Sequence, residues 1–236
     1  MWFLYTGQPI EEIPRDVTHV RIAPYVKKIG IGAFRDCEQL MVVELNVGLE
    51  EIGESAFEGC KSLKYIKVPS TVKKIGESAF HECNQLSDVE LCEGLEEIAG
   101  WAFCVCHSLH CIKVPSTAKN IGGWAFSGCD LLLEVELCEG LEEIKTGAFN
   151  NCKSLKRFKV PYTVKRICGS AFHGCELLEE VELCEGLEEI GRHAFFNCKY
   201  LKRFNVPSSV KVIDIGAFSG CEELVSLSVG HTLLMR

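Results

Sequence analysis

The sequence contains no long hydrophobic run and no excess of positive charge, and each absence excludes a class of function. No apolar stretch approaches the roughly 18 residues that a membrane-spanning helix needs, so we expect no membrane partner. The 25 Lys and Arg residues are outnumbered by 33 Asp and Glu residues, which gives a formal net charge of −8. Because nucleic-acid binding needs a basic surface that neutralises phosphates, we also expect no nucleic-acid partner.

Motifs typical of enzymes and cofactor-binding proteins are absent as well. The sequence has no P-loop and no dinucleotide-binding fingerprint. No serine or cysteine recurs with a histidine and an acid in the pattern of a catalytic triad. We therefore predict no catalytic residues, no cofactor and no enzymatic activity.

The first residues, MWFLYTGQPIEE, are not typical of a secretory signal peptide, because no basic region precedes their short apolar stretch. We expect a cytoplasmic protein, with the extracellular surface as the alternative.

The dominant feature of the sequence is an internal repeat of 23 residues. An Ala-Phe pair recurs nine times at this interval without insertion, from residues 33–34 to residues 217–218. A cysteine follows each of these phenylalanines after three positions, from Cys37 to Cys221. Uninterrupted repeats of this length predict a solenoid in which each coil contacts mainly its neighbours. The solenoid is predicted over residues 17–230, which leaves no room for a second domain.

Each repeat predicts two short strands, a bend and a compact return. Residues 63–68 alternate apolar and polar side chains, which is typical of a strand with one buried face. The bend reads PST at 69–71 or CEG at 92–94 in alternate coils; Pro suits the first central position of a type I turn and Gly its last position. A second extended piece, at 72–75, leads into a tight or one-turn helical return that carries Ala and Phe inward. The predicted fold class is a β-rich repeat solenoid of parallel strands.

These residues resemble the BspA-type leucine-rich repeat, whose unit reads roughly L-x-x-I-x-L-P-x-x-L-x-x-I-G-x-x-A-F-x-x-C, over about 90% of the chain. The resemblance implies a right-handed leucine-rich-repeat solenoid of about nine coils that serves in binding, in a family found on microbial surfaces and in protists. The chain departs from this unit at Cys92, Cys138 and Cys184, which replace Pro in alternate coils.

Acidic and basic residues alternate between neighbouring coils. One set of equivalent positions reads Glu50, Lys73, Glu96, Lys119, Glu142, Lys165, Glu188, Lys211. Because equivalent residues of adjacent coils stack on one another, this order places opposite charges together and opposes a slip of one coil. We interpret the recurring ELCEGLEEI, first seen at residues 90–98, as structural. A cation site built from its acids is the weaker alternative, because each acid has a lysine beside it.

The fifteen cysteines follow the repeat rather than a metal-binding spacing. The nine that follow Phe predict a row of buried, reduced thiols, because stacked positions are poorly oriented for disulfides and the cytoplasm is reducing. Residues 104–111, CVCHSLHC, resemble a metal cluster. The repeat places these side chains on different faces of the coil, so we predict no metal site.

Trp101 and Trp124 hold equivalent positions in adjacent coils, where other coils carry small or polar residues such as Ser55 and Gly147. Two interpretations are open. The rings form an aromatic patch that contacts a partner, or they fold over neighbouring gaps on the outer surface.

The resemblance implies that a protein partner binds the strand face. The outward positions there are mixed and partly apolar in the first half of the chain and alternate in charge in the second half, where a continued charge ladder is the alternative interpretation. The candidate partner-binding residues are Tyr65, Asp88, His110, Glu134 and Arg157, with Trp101 and Trp124 as separate candidates.

Both ends of a solenoid need cover. We predict that residues 1–16 form an N-terminal cap and residues 231–236 a C-terminal tail. Either Leu233, Leu234 and Met235 fold back over the open core, or this end meets another chain, for example in a homo-oligomer. Two functions therefore remain: a protein-interaction module that binds through its strand face, and a structural or assembly subunit joined through its C-terminal end or outer face.

Overall fold

The computed structural model describes residues 2–8, 13–229 and 234–235. Parallel strands recur every 23 residues through the repeats. The longer strand of each coil builds the strand face: β1 (Trp2–Tyr5), β2 (His19–Ile22), β4 (Val42–Glu44), β6 (Tyr65–Val68), β8 (Asp88–Leu91), β10 (Cys111–Val114), β12 (Glu134–Leu137), β14 (Arg157–Lys159), β16 (Glu180–Glu182), β18 (Arg203–Val206) and β20 (Ser226–Val229). The predicted β-rich solenoid is confirmed.

A shorter strand in each coil builds a second row of parallel strands: β3 (Lys28–Ile29), β5 (Glu51–Ile52), β7 (Lys74–Ile75), β9 (Glu97–Ile98), β11 (Asn120–Ile121), β13 (Glu143–Ile144), β15 (Arg166–Ile167), β17 (Glu189–Ile190), β19 (Val212–Ile213) and β21 (Leu234–Met235). Within the repeats, pairing brings equivalent residues side by side, as Tyr65 lies beside Asp88. Apolar side chains at alternate strand positions therefore all point into one continuous core.

The ends add strands to these two rows. In the predicted N-terminal cap, β1 pairs in parallel with β2. In the predicted C-terminal tail, β21 pairs with β19. Residues 1, 9–12, 231–233 and 236 of these two segments lie outside the described residues.

The returns are series of turns, and the described residues contain no helix. Of the two predicted forms of the return, the tight turn is therefore confirmed and the one-turn helix is wrong. In every return before the last, alternate N–H groups donate to carbonyl groups of the next coil, as Phe34 donates to Ala56 at 2.7 Å, so they are not free for bonds within a helix. Two positions of each return have a positive φ, such as 52° at Ser55 and 71° at Gly59.

The bend after each longer strand lies one residue later than the sequence predicts. The N–H of Val72 donates to the carbonyl of Pro69 at 3.0 Å, so Pro69 is the first residue of the turn rather than its first central residue. Gly94 then holds the third position of its bend, with a φ of 112°. Glycine adopts this φ without the steric cost that a Cβ brings, which accounts for Gly at this point.

Phenylalanine rings form a continuous stack along the core. From Phe34 to Phe218, neighbouring rings lie 5.1–5.6 Å apart between centroids and are nearly parallel. Each inward cysteine after the first donates its Sγ–H to the carbonyl of a phenylalanine in the preceding coil at 3.1–3.3 Å. Burial raises the pKa of these thiols, in Cys175 to about 12. The predicted row of inward, buried cysteines is confirmed, although Cys221 in the last return is only partly buried.

Opposite charges meet between neighbouring coils, as the alternation predicts. Lys113 and Glu136 are a typical pair, with 2.7 Å between Nζ and Oε1. Among the described residues, every charged pair except Lys145–Glu143 joins residues that are 23 positions apart. The charges therefore hold coils in register, while each exposed pair contributes little alone.

Candidate interaction surface on the strand face

The first residue of each longer strand points outward, because side chains alternate along a strand. These residues form one line across neighbouring strands, the strand-face row: Trp2, His19, Val42, Tyr65, Asp88, Cys111, Glu134, Arg157, Glu180 and Arg203. All of them are exposed except His19, which is half-buried.

Four of the predicted site residues lie in this row: Tyr65, Asp88, Glu134 and Arg157. A fifth, His110, is exposed immediately before β10, on the neighbouring outward position. The structure therefore places these five candidates on one face.

The N-terminal end of the row is apolar. Trp2, Val42 and Tyr65 are 49%, 37% and 46% exposed. Met41, beside Val42 in the chain, is 45% exposed. Exposed apolar side chains that lie together are typical of an interaction site.

Trp2 belongs to this surface, although the sequence predicts it only as part of a cap. Its ring lies 5.0 Å from that of His19, and the guanidinium of Arg21 lies 5.1 Å from its centroid, a cation–π contact. The signal was present in the sequence: in WFLY the side chains alternate, so that Tyr5 is buried while Trp2 and Leu4 are exposed.

Tyr65 is held by a small polar network. Its hydroxyl donates to Glu90 at 2.9 Å, and Nζ of Lys67 lies 2.8 Å from the same carboxylate. The hydrogen bonds from Lys67 and Tyr65 lower the pKa of Glu90. Desolvation, together with the bond to Glu90, raises the pKa of Tyr65.

The C-terminal half of the strand face pairs its charges internally. Arg157 lies 3.6 Å from Glu180, and Lys202 lies 3.8 Å from Glu179. For Arg157 the geometry therefore agrees with the charge-ladder interpretation of this half.

Trp101 and Trp124 lie in the returns and not on the strand face. A Cβ placed on Gly147 would lie 2.4 Å from Cδ2 of Trp124, so this ring covers the glycine of the next coil. Trp101 is 43% exposed, and its ring makes no contact with that of Trp124 among the described residues. The geometry of Trp124 agrees with a ring folded over a neighbouring gap.

The stretch that resembles a metal cluster is divided between separate contacts. Cys104 is buried, whereas His107 lies at the surface, 2.8 Å from Asp130. Across the described ranges, no three His, Cys, Asp or Glu side chains are grouped as a metal site would require. In the same residues, no helix is long and apolar enough to cross a membrane.

This arrangement of coils defines a leucine-rich-repeat solenoid, a fold that typically serves as a protein-interaction module. The chain belongs to the BspA-type leucine-rich-repeat family, whose model, a BspA type leucine rich repeat region, matches residues 14–132 and 102–225. No curated protein matches the chain in sequence.

Solved structures of bacterial leucine-rich-repeat proteins are similar to this chain. A leucine-rich repeat protein from Bacteroides ovatus is 27% identical with a TM-score of 0.65, over 89% of this chain and 54% of that one. The pneumococcal vaccine antigen PcpA is 25% identical with a TM-score of 0.63, over 94% of this chain and 58% of that one. The T. pallidum leucine rich repeat protein is 26% identical with a TM-score of 0.56, over 77% of each chain. The chain thus spans just over half the length of the first two proteins.

Proposed function

We propose that this chain is a non-enzymatic protein-interaction module whose partner binds the N-terminal half of the strand face. The observation that carries the proposal is the exposed apolar line of Trp2, Val42 and Tyr65 on three of the first four longer strands, with the half-buried His19 between Trp2 and Val42. Aromatic side chains on a rigid sheet provide contact area at little entropic cost, and such residues dominate binding energy in protein interfaces.

Asp88 and His110 supply the polar rim of this surface. Both are exposed, and Asp88 lies directly beside Tyr65 across the strand pair. Interfaces commonly place polar groups around an apolar centre, where they select the partner more than they add affinity. Glu134 and Arg157 lie further along the row, at the border with the internally paired half.

We further propose that the module acts in the cytoplasm, with the extracellular surface as the alternative. Support comes from the thiols, because all fifteen cysteines are free and Cys111 is exposed on the strand face. Free thiols in this number are typical of a reducing compartment.

The test compares two double variants of the full chain in pull-downs from the source cell. Val42→Asp with Tyr65→Ala disrupts the apolar centre, whereas Arg157→Ala with Arg203→Ala alters the same row in its charged half. We expect the partner to be lost from the first variant and retained by the second, with thermal denaturation confirming that both are folded. Retention by both variants, or equal loss from both, would contradict the proposal.

A further inference from the structure

The short strands of neighbouring coils are joined by two recurring backbone hydrogen bonds. Where β9 meets β11, the N–H of Lys119 donates to the carbonyl of Glu96 at 2.9 Å, and the N–H of Gly122 donates to that of Ile98 at 2.8 Å. Equivalent bonds of 2.8–3.0 Å join the short strands from β3 to β11, and again those from β13 to β19. The short-strand row is therefore firmly bonded on both sides of its middle.

Both bonds are missing at one place, the β11–β13 junction. The N–H groups of Glu142 and Lys145 hold the donor positions there, and neither has an acceptor among the residues that the structure describes. The row consequently divides into two five-stranded sheets, β3 to β11 and β13 to β21. A cleft of about 680 Å³ lies at this point, lined in part by Lys119, Asn120 and Glu142.

The other two sides of this junction are closed. The longer strands β10 and β12 pair in register, beginning with Cys111 beside Glu134. In the returns, the N–H of Phe126 donates to the carbonyl of Ala148 at 2.9 Å. Coils that are bonded on two sides and open on the third can tilt about the bonded sides, which is how a hinge moves.

The longer strands are interrupted too, between β4 and β6, between β8 and β10 and between β12 and β14. At each of these places the short strands of the same two coils are paired. Those junctions are therefore open on the strand face. Within the described chain, the β11–β13 junction alone is open on the side of the short strands.

The charge alternation fails at the same junction. At two closed junctions a lysine of the short strand pairs with a glutamate of the next coil, as Lys74 does with Glu97 at 3.2 Å. Asn120 holds the lysine position before Glu143, so this ion pair cannot form. Glu143 pairs instead with Arg166 of the following coil. The carboxylate therefore ties its coil to the C-terminal part of the solenoid and not to the preceding coil.

Lys145 adds a long side chain at a position that is glycine in five of the nine coils. A Cβ on Gly122, its equivalent in the preceding coil, would lie 2.3 Å from the backbone nitrogen of Gly100. Close stacking therefore favours a small residue here, and lysine is the largest that occurs. Three other coils carry shorter side chains and keep the backbone bond: Ala99, Cys168 and Asp214.

We propose that the β11–β13 junction is a hinge, at which the coils before it tilt against the coils after it. Tilting widens or narrows the cleft, while the paired strands β10 and β12 and the bonded returns form the pivot. On the strand face, the pivot lies between Cys111 and Glu134, where the mixed half of the row gives way to the charged half. The motion therefore changes the angle between the two halves of the strand face. It does not depend on which half binds a partner.

Distances between spin labels on the side of the short strands test the hinge. Labels at Lys73 and Lys165 span four junctions that include β11–β13, whereas labels at Lys27 and Lys119 span four junctions that are all bonded. These four lysines are exposed and hold equivalent positions, each directly before a short strand. The labels are attached through an unnatural amino acid, because the chain contains fifteen cysteines.

Double electron–electron resonance then gives the width of each distance distribution. We expect the distribution between positions 73 and 165 to be wider than the control distribution by about twofold or more, because only the first pair spans the hinge. Equal widths in the native chain would overturn the proposal.

Amide hydrogen exchange on the full chain tests the missing bonds. Exchange at Glu142 and Lys145 should be faster by about tenfold or more than at Lys165 and Cys168, the bonded equivalents in the next coil. Slow exchange at the first two positions would contradict the hinge, because their N–H groups would then already have acceptors.

A double variant should close the hinge. Asn120→Lys with Lys145→Gly restores a cation opposite Glu143 and removes the long side chain from the junction. We expect the distribution between positions 73 and 165 to narrow to the width of the control, and the Glu142 amide to exchange more slowly by about tenfold or more. Asn120→Asp with the native Lys145 is the matched variant, and it should leave the junction open because it adds a second carboxylate. A double variant that is folded by circular dichroism but retains the native width would overturn the proposal.

Discussion

The interior of the solenoid and its strand face share one spacing but differ in uniformity. Inside, each coil repeats the same phenylalanine stack and, in all coils after the first, the same thiol-to-carbonyl bond. On the strand face the outward row changes from Trp2 and Val42 at one end to Glu180 and Arg203 at the other. The spacing constrains both regions equally, so the difference lies in what each position has to contact.

An interior position always meets the same position of the next coil, so one residue type satisfies every coil. A strand-face position meets its neighbours only at its flanks and is otherwise free to meet solvent or a partner. Where the row carries charged pairs, as at Arg157 and Glu180, each side chain already interacts with its neighbour on the next strand. The aromatic side chain of Tyr65 remains 46% exposed.

The largest loss of stability is expected when a phenylalanine in the middle of the ring stack is replaced by alanine. Phe126 is fully buried between Phe103 and Phe149, with centroids 5.4 and 5.6 Å away. Phe126→Ala should lower the free energy of unfolding by about 3–5 kcal/mol, because it removes apolar burial and leaves a cavity. Urea denaturation followed by circular dichroism measures this loss.

The same substitution at Phe80 is the control for uniformity. Phe80 is equally buried and stacks on both sides at 5.2 and 5.1 Å. If the interior is uniform, Phe80→Ala should cost the same within about 1 kcal/mol. A much smaller loss of stability at one of the two positions would show that the interior is not uniform. The contrast between a uniform interior and a variable strand face would then fail.

The sequence predicts the interior well because repetition itself identifies the inward positions. The spacing of Phe and Cys predicts coil, core and register without reference to any contact. Alternating Glu and Lys likewise predict pairs such as Lys113 with Glu136, because stacking turns sequence spacing into distance.

Features that depend on local backbone geometry are not predictable in this way. The bend starts at Pro69 rather than before it, because several turns fit the same residues and only the closing hydrogen bond decides between them. The repeat also aligns Trp101 with Trp124 without indicating where either ring points. The φ values of 54° and 60° at these two residues, a left-handed conformation unusual for bulky side chains, appear only in the structure.

An intermediate loss of stability is expected from a substitution at Gly147, because a side chain there would enter space that the ring of Trp124 occupies. A Cβ at this position would lie 2.4 Å from the ring, and the φ of 64° is unfavourable for residues other than glycine. Gly147→Ala should therefore cost about 1–2 kcal/mol for the backbone, plus the cost of displacing the ring. Urea denaturation measures the total, and tryptophan fluorescence reports the movement of the ring.

A second background separates the two costs. At the position equivalent to Trp124, two other coils carry a serine, Ser55 and Ser78, with φ values of 52° and 54°. Trp124→Ser introduces the same residue here. In that background only the backbone cost of Gly147→Ala remains, so the two substitutions should be coupled by about 0.5–3 kcal/mol. Additive effects would show that the ring does not cover Gly147.

The smallest loss of stability is expected from a substitution on the strand face, in the polar network around Glu90. Its pKa is lowered by the hydrogen bonds from Lys67 and Tyr65, so the contribution of its charge is present above the ordinary pKa of a glutamate, about 4.3. This contribution is lost as the pH falls through the lowered pKa, where the carboxylate takes up a proton. Glu90→Gln should lower the denaturation temperature at pH 7 by no more than about 2 °C, because exposed charged pairs stabilise weakly.

The difference between the native chain and Glu90→Gln should shrink as the pH falls below about 4, since both then carry an uncharged group at this position. Tyr65→Phe is the matched control, because it removes one donor to Glu90 and leaves the bond from Lys67 in place. Its effect should follow the same pH dependence with a smaller amplitude. A Glu90→Gln difference that is constant from pH 7 to pH 3 would mean that the charge of Glu90 adds nothing to the face, and the first half of the strand face would then depend on its apolar side chains alone.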